Sequence, residues 1–317
     1  MVAITNKYNY PESYYHKVLK VNSAYSRGHS DYSVTDLKKS TRQVHTVRKN
    51  ADKIIKDCSD MTWQIFGSVG HNLLQQETKS GITEKRFYSN FDGTILSGQV
   101  DWMQQNYDDP HTVDVLDYKF TSVYADIFPD KQLEWETQLN PYKLLLERNG
   151  YRVYHLYIFA LFRDWKRKDY LNSKAKNGNY PVKDTKLFRI KVWPKEQTET
   201  YIKERLTVLE DTRYKEEKDL PLCTPEEQWR RKEEWAVVTS KGGRAMSGGV
   251  CSSRDKAIAV AHEKYSNVKN IGIEHRRADP INCLDYCDAK PFCSQFKKES
   301  EVGESIFEPL EKGKKDG

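Results

Sequence analysis

The chain predicts an α/β fold: a mixed β-sheet with helices on both sides, carrying a small inserted α+β subdomain and a cysteine-rich C-terminal segment. Three observations lead there. Residues 94–103 and 112–120 are rich in Val, Ile, Leu and Thr and flank the turn cluster Asn106-Tyr107-Asp108-Asp109-Pro110-His111, so they form a hairpin. Residues 151–162 are apolar on both faces, as a central strand is, and follow a helical stretch at 130–148. Cys283, Cys287 and Cys293 crowd into one short segment near the end.

Taken in order, the first 30 residues hold tyrosines and polar residues without a clear period, and 1–32 reads as a separate polar segment. Residues 34–57 look helical, with Ser33 or Thr35 as cap. A helix is expected at 61–76, where Trp63, Phe66, Val69/Gly70 and Leu73/Leu74 make a stripe near which His71 sits. The sheet starts at 82–88 and continues through the hairpin. In the helix at 130–148, Trp135, Leu139, Tyr142 and Leu146 share a face, and Pro141 is expected to kink it. Asn149-Gly150 ends this helix. A polar loop at 166–184, a strand at 185–193 and a charged helix at 195–218 complete a core spanning 33–222.

Residues 223–296 read as the inserted subdomain bracketed by cysteines. Within 234–276, segments 234–240 and 244–251 could pair across Lys241-Gly242-Gly243, a helix follows at 253–265, and 271–275 closes as a strand. Residues 297–317 read as a charged, disordered tail.

At 317 residues the chain can bury a sizeable core. Aromatics at 12% argue against overall disorder, despite a mean hydropathy of −0.84. Net charge +6, with pI about 8.7, permits nucleic-acid binding without demanding it. The cluster Arg163-Asp164-Trp165-Lys166-Arg167-Lys168 suits a loop that grips a phosphate backbone. No apolar run approaches a membrane span, and the first residues lack the basic and apolar regions of a signal peptide, so a cytoplasmic protein is expected.

Folded about Asp109, the hairpin sets Asp101 opposite Asp117, and Lys119 emerges on the same face as Asp117. Facing carboxylates repel, and a hard divalent cation relieves that repulsion. Two acids and a lysine on one sheet face suit metal-assisted phosphodiester hydrolysis. Around the hairpin lie His71, then Glu84 in Thr83-Glu84-Lys85, and later Gln138-Leu139-Asn140-Pro141-Tyr142.

This series resembles the RecB-like exonuclease branch of the PD-(D/E)XK nuclease superfamily, whose motifs run His, Gly-x-x-Asp, (Asp/Glu)-x-Lys and Gln-x-x-x-Tyr. They match His71, Gly98-Gln99-Val100-Asp101, Asp117-Tyr118-Lys119 and Gln138 with Tyr142, and the likeness extends over roughly residues 33–300. Ser59-Asp60 and Arg163-Asp164-Trp165 are similar to phage and prophage members. The resemblance implies a restriction-endonuclease-like core and a Mg²⁺- or Mn²⁺-dependent DNA exonuclease acting on linear or single-stranded DNA in phage recombination or repair, with a recombination protein as an open partner. It implies that His71, Asp101, Asp117 and the Tyr118 carbonyl hold the metal. Lys119 would orient or activate water, Glu84 would be an outer ligand, and Gln138 and Tyr142 would touch the DNA backbone. The alternative is a non-catalytic DNA-binding or recombination-accessory protein on the same fold.

Of the six cysteines, Cys223 with Cys283, Cys287 and Cys293 would complete a four-thiolate shell. The resemblance implies a [4Fe-4S] cluster, with Zn²⁺ the alternative and Cys58 the rival for the place of Cys223. Cys251 is expected to be structural.

Overall fold

The computed structural model describes residues 2–24, 26–76, 81–128, 130–300 and 306–310. The protein divides into two compact units, one of residues 1–40 and 48–214, the other of residues 41–47 and 215–317.

The first unit is a mixed α/β structure built on a six-stranded mixed sheet flanked by helices. The long strand Thr94–Gln105 is its organising element. One edge pairs with Ile82–Phe91 along nearly its whole length. The other edge is shared. Tyr32–Ser33 takes Leu96 and Ser97, and Thr112–Thr121 takes Trp102 to Gln105. Residues 98–101 are left between these two partners. Thr112–Thr121 then pairs in parallel with Arg152–Phe162, and the helix Asp130–Arg148 makes the crossover between them. Thr185–Ile190 closes the sheet antiparallel to Arg152–Phe162. The crossover helix buries Trp135, Leu139, Leu144, Leu145 and Leu146, which supply much of the core beneath the sheet.

Several expectations change. The stretch 34–57 is not one helix but Val34–Leu37, Thr41–Lys49 and the strand Ile55–Asp57. Ser33 does cap Val34–Leu37, in a reciprocal box with Asp36. The polar segment 1–32 contains regular structure. Glu12–Ala24 is a helix whose Val18 packs with Cys58, Met61 and Ile65. The polar loop 166–184 contains the helix Arg167–Ala175, and the charged helix stops at Lys195–Asp211. Among the described residues no helix is long and apolar enough to cross a membrane.

In the second unit, Glu234–Val238 lies between Val250–Cys251 and Gly272–Arg276, all antiparallel. The helix Arg254–Tyr265 covers this sheet through Ala257 and Ala261, against Val237 and Ile273. The expected tail is partly ordered: Ser294–Ser300 is helical, and Phe307–Pro309 adds a fourth strand beside Gly272–Arg276. Residues 301–305 and 311–317 lie outside the described residues.

Arg42 is 1% exposed. Its guanidinium donates to the carbonyls of Leu220 at 2.5 Å and Pro221 at 3.1 Å, to Ser294 Oγ at 3.2 Å, and pairs with Glu217. Removing one partner of a buried charge pair leaves the other uncompensated. Arg42→Ala is therefore expected to destabilise this unit by roughly 3–5 kcal/mol, measured by denaturant unfolding. A change below about 1 kcal/mol would show that the network contributes little.

Candidate functional site

The site occupies the gap left on the strand Thr94–Gln105. Its ladder with Thr112–Thr121 stops at Trp102↔Leu116, one position short of Asp101 and Asp117. There the Asp101 carboxylate, rather than a backbone carbonyl, accepts the Tyr118 N–H at 3.0 Å. Across the other edge, the register sets Glu84 directly opposite Asp101, the one position where that ladder lapses. Glu84 has φ +50°, a left-handed conformation that a non-glycine residue seldom adopts inside a strand. The irregularity turns its carboxylate towards Asp101.

His71 comes from the helix Thr62–Gln76, held close to the sheet at Gly70. A Cβ at that position would run into the Phe120 ring, so a larger residue would push the helix away. His71 Nε2 lies 3.0 Å from the Tyr118 carbonyl, and Nδ1 lies 3.4 Å from Asp101 Oδ2 and 4.0 Å from Glu84 Oε1. The ring thus sits between the Tyr118 carbonyl on one side and two carboxylates on the other. Ligand atoms of His71, Glu84 and Asp101 all fall within 4.8 Å of one another.

Two expected metal ligands thus take other partners. The Tyr118 carbonyl faces the His71 ring. Asp117, 4% exposed, is engaged through Oδ2 with Lys119 Nζ at 2.5 Å and through Oδ1 with Gln138 Nε2 at 3.0 Å. Glu84, expected as an outer ligand, belongs to the tight trio. Gln138 and Tyr142, expected to touch the DNA backbone, both reach the site despite Pro141 and are 9% and 7% exposed. Gln138 positions Asp117. Tyr142 lies under Gly98, where a Cβ would stand 2.6 Å from its ring, which explains the glycine of Gly-x-x-Asp.

The electrostatics follow the packing. Burial, and then the Asp117 charge, hold Asp101 well above the usual carboxylate range. Burial alone would lower Lys119, but Asp117 and Asp101 outweigh it and raise the ammonium above its ordinary value. Tyr142 is raised by burial and by the same two acids.

No family model matches the chain, and no curated protein matches it. A solved structure described as "Crystal structure of SSO0001" is similar at a TM-score of 0.41 and 15% identity, over 62% of this chain and 84% of that one.

Sequence reasoning missed Lys38, Gln99 and Arg86. Lys38 Nζ donates to Gln138 Oε1 at 3.2 Å and pairs with Glu134 at 3.3 Å, so it braces the residue that holds Asp117. Burial lowers its pKa, with Glu134 opposing. Nothing in Leu37-Lys38-Lys39 signals this role. Gln99 donates to Glu84 Oε2 at 2.6 Å and accepts from Arg86 at 2.7 Å. It was legible in principle, being two residues from Asp101 and so on the same strand face.

In the second unit, Cys223, Cys283, Cys287 and Cys293 line one small cavity. Gln295 clamps Cys223, accepting its N–H at 2.8 Å and donating to its carbonyl at 3.1 Å. Asn282, beside Cys283, donates to the carbonyls of Gln228 and Glu227. Burial, then the other three sulfurs, push the Cys283 thiol up to about 12. None of the six cysteines is in a disulfide. Cys58 is buried in the first unit's apolar cluster, with Sγ 3.4 Å from Asn6 Oδ1. Cys251 lies on the outer strand, packed against the second unit's core.

Proposed function

We propose that the chain is a divalent-metal-dependent deoxyribonuclease, an exonuclease of the RecB-like type on a restriction-endonuclease-like core, working in the cytoplasm on linear or single-stranded DNA. The observation that carries this reading is the meeting of His71, Glu84 and Asp101 beside the Asp117–Lys119 pair.

The donor set fits a hard cation. One imidazole nitrogen and two carboxylates converge beside Lys119, the Tyr118 N–H and the Gln99 amide, and a buried carboxylate held above its usual range is relieved by a cation. Mg²⁺ or Mn²⁺ on His71, Glu84 and Asp101 would supply Lewis-acid stabilisation of charge on the phosphate oxygens. Asp117 fixes Lys119 at the edge of this group. Lys119 is placed there to orient or activate water and to offset transition-state charge. Gln138 and Lys38 hold Asp117 in place, and Gln99 holds Glu84. The four cysteines that line one cavity are the ligands we assign to a [4Fe-4S] cluster acting as a structural staple, with Zn²⁺ the runner-up.

The test is purified protein with Mg²⁺ or Mn²⁺ on end-labelled single- and double-stranded linear DNA and on covalently closed circles. Linear DNA is expected to be degraded, circles to survive, and EDTA to stop the reaction. Cutting of closed circles would make it an endonuclease. Linear DNA left intact in every metal would favour a non-catalytic DNA-binding protein on the same fold.

A further inference from the structure

The helix Thr62–Gln76 carries His71 and has no Asp, Glu, Lys or Arg. A helix at a protein surface ordinarily turns charged residues outward. This one turns out Trp63, Phe66 and Leu73, at 58%, 61% and 59% exposure, while Ile65 is buried and Gly70 packs against Phe120. The apolar stripe read from the sequence therefore faces outward. Large aromatic rings left this open mark a contact surface.

The charges around it indicate what it meets. The Arg163 guanidinium lies 4.1 Å over the centre of the Trp63 ring, and Trp63 and Phe66 lie 5.9 Å apart. Beyond Arg163, the exposed Lys166, Arg167 and Lys168 continue the positive charge. Asp164 is turned back onto the fold, its carboxylate accepting from Ser122 Oγ and the Val123 N–H at 2.5 and 2.8 Å, and its one charge is outnumbered by the four cations. The Arg163 N–H donates to Thr121, and just past Thr121 the exposed rings of Tyr124 and Phe128 stack at 5.7 Å. Open rings interleaved with cations fit unpaired bases and their phosphates, since every base has a face to stack and every phosphate a charge to neutralise.

Along the helix axis Phe66 and Trp63 stand about 7.5 and 12 Å from His71. We propose that this face is a track for single-stranded DNA, with bases stacking on Trp63 and Phe66 and phosphates on Arg163 and the basic segment behind it. Its use as the approach to the site rests on the nuclease reading; the binding itself does not.

The test is anisotropy of a fluorescein-labelled oligothymidylate in EDTA, which removes any cleavage, with the full chain. Trp63→Ala with Phe66→Ala is expected to weaken binding at least ten-fold. Trp63→Tyr should restore most of the affinity to the Phe66-containing chain, and Tyr214→Ala, at an exposed ring elsewhere, should change nothing. Arg163→Gln should reduce the slope of log affinity against log salt by about one. Unchanged affinity in the double variant, with an unaltered thermal melt, overturns the track. So does a parent that dimerises through this face, with Trp63→Ala splitting the dimer and leaving DNA affinity intact. Mn²⁺-dependent hydrolysis of a small phosphodiester by the parent separates the two claims. If the parent fails there yet loses DNA affinity on ring removal, the track stands and the nuclease reading falls.

Discussion

Asp117→Asn is expected to lower DNA hydrolysis at least about a thousand-fold, some 4 kcal/mol of barrier, with the fold retained. The amide keeps the shape and the contact with Gln138, but it removes the charge that holds Lys119 Nζ at 2.5 Å. The ammonium loses its anchor exactly where charge builds up on the phosphate. Lys119→Gln should cost a similar amount by the opposite route, deleting the cation and keeping the acid. Single-turnover cleavage of end-labelled DNA gives the rates, and a thermal melt separates lost chemistry from lost structure. If both variants fold and cut at the parent's rate, the site has been misassigned.

Anaerobically purified protein is expected to be brown, with about four irons per chain, and Cys287→Ser should lose both the colour and much of the stability of residues 215–317. Burial raises the Cys283 and Cys287 thiols, and a metal centre is what makes four clustered thiolates tolerable. The loss on ligand removal should be several kcal/mol, since structural metal sites contribute on the order of 10 kcal/mol. A colourless protein with one tightly held zinc would install the runner-up. Protein with neither metal, indifferent to Cys287→Ser, would leave the cysteines as ordinary buried side chains.

The hairpin was legible because alternation and turn chemistry are local signals, and its register placed Asp101 against Asp117 by counting alone. Division of labour at the site was not legible. That Glu84 joins His71 and Asp101 depends on one left-handed residue, and that Asp117 turns to Lys119 and Gln138 depends on packing from a distant helix. Periodicity found the stripe on the His71 helix but not the side it faces, because a 3.6-residue repeat looks the same whether it turns to a core or to solvent. Helix Glu12–Ala24 escaped notice because most of it is only partly buried, leaving a weak repeat. The strand Phe307–Pro309 escaped because three residues gain their structure from the neighbour they pair with.

The placement of Arg42 ties the early chain to its far end. Its partners Leu220 and Ser294 come far later in the sequence. At about 5–20 residues per second, synthesis separates Arg42 from Ser294 by roughly 12 to 50 s. For that interval the nascent polypeptide carries a guanidinium whose burial site has not yet been made, so the unit around Arg42 cannot complete its packing until Ser294 has followed.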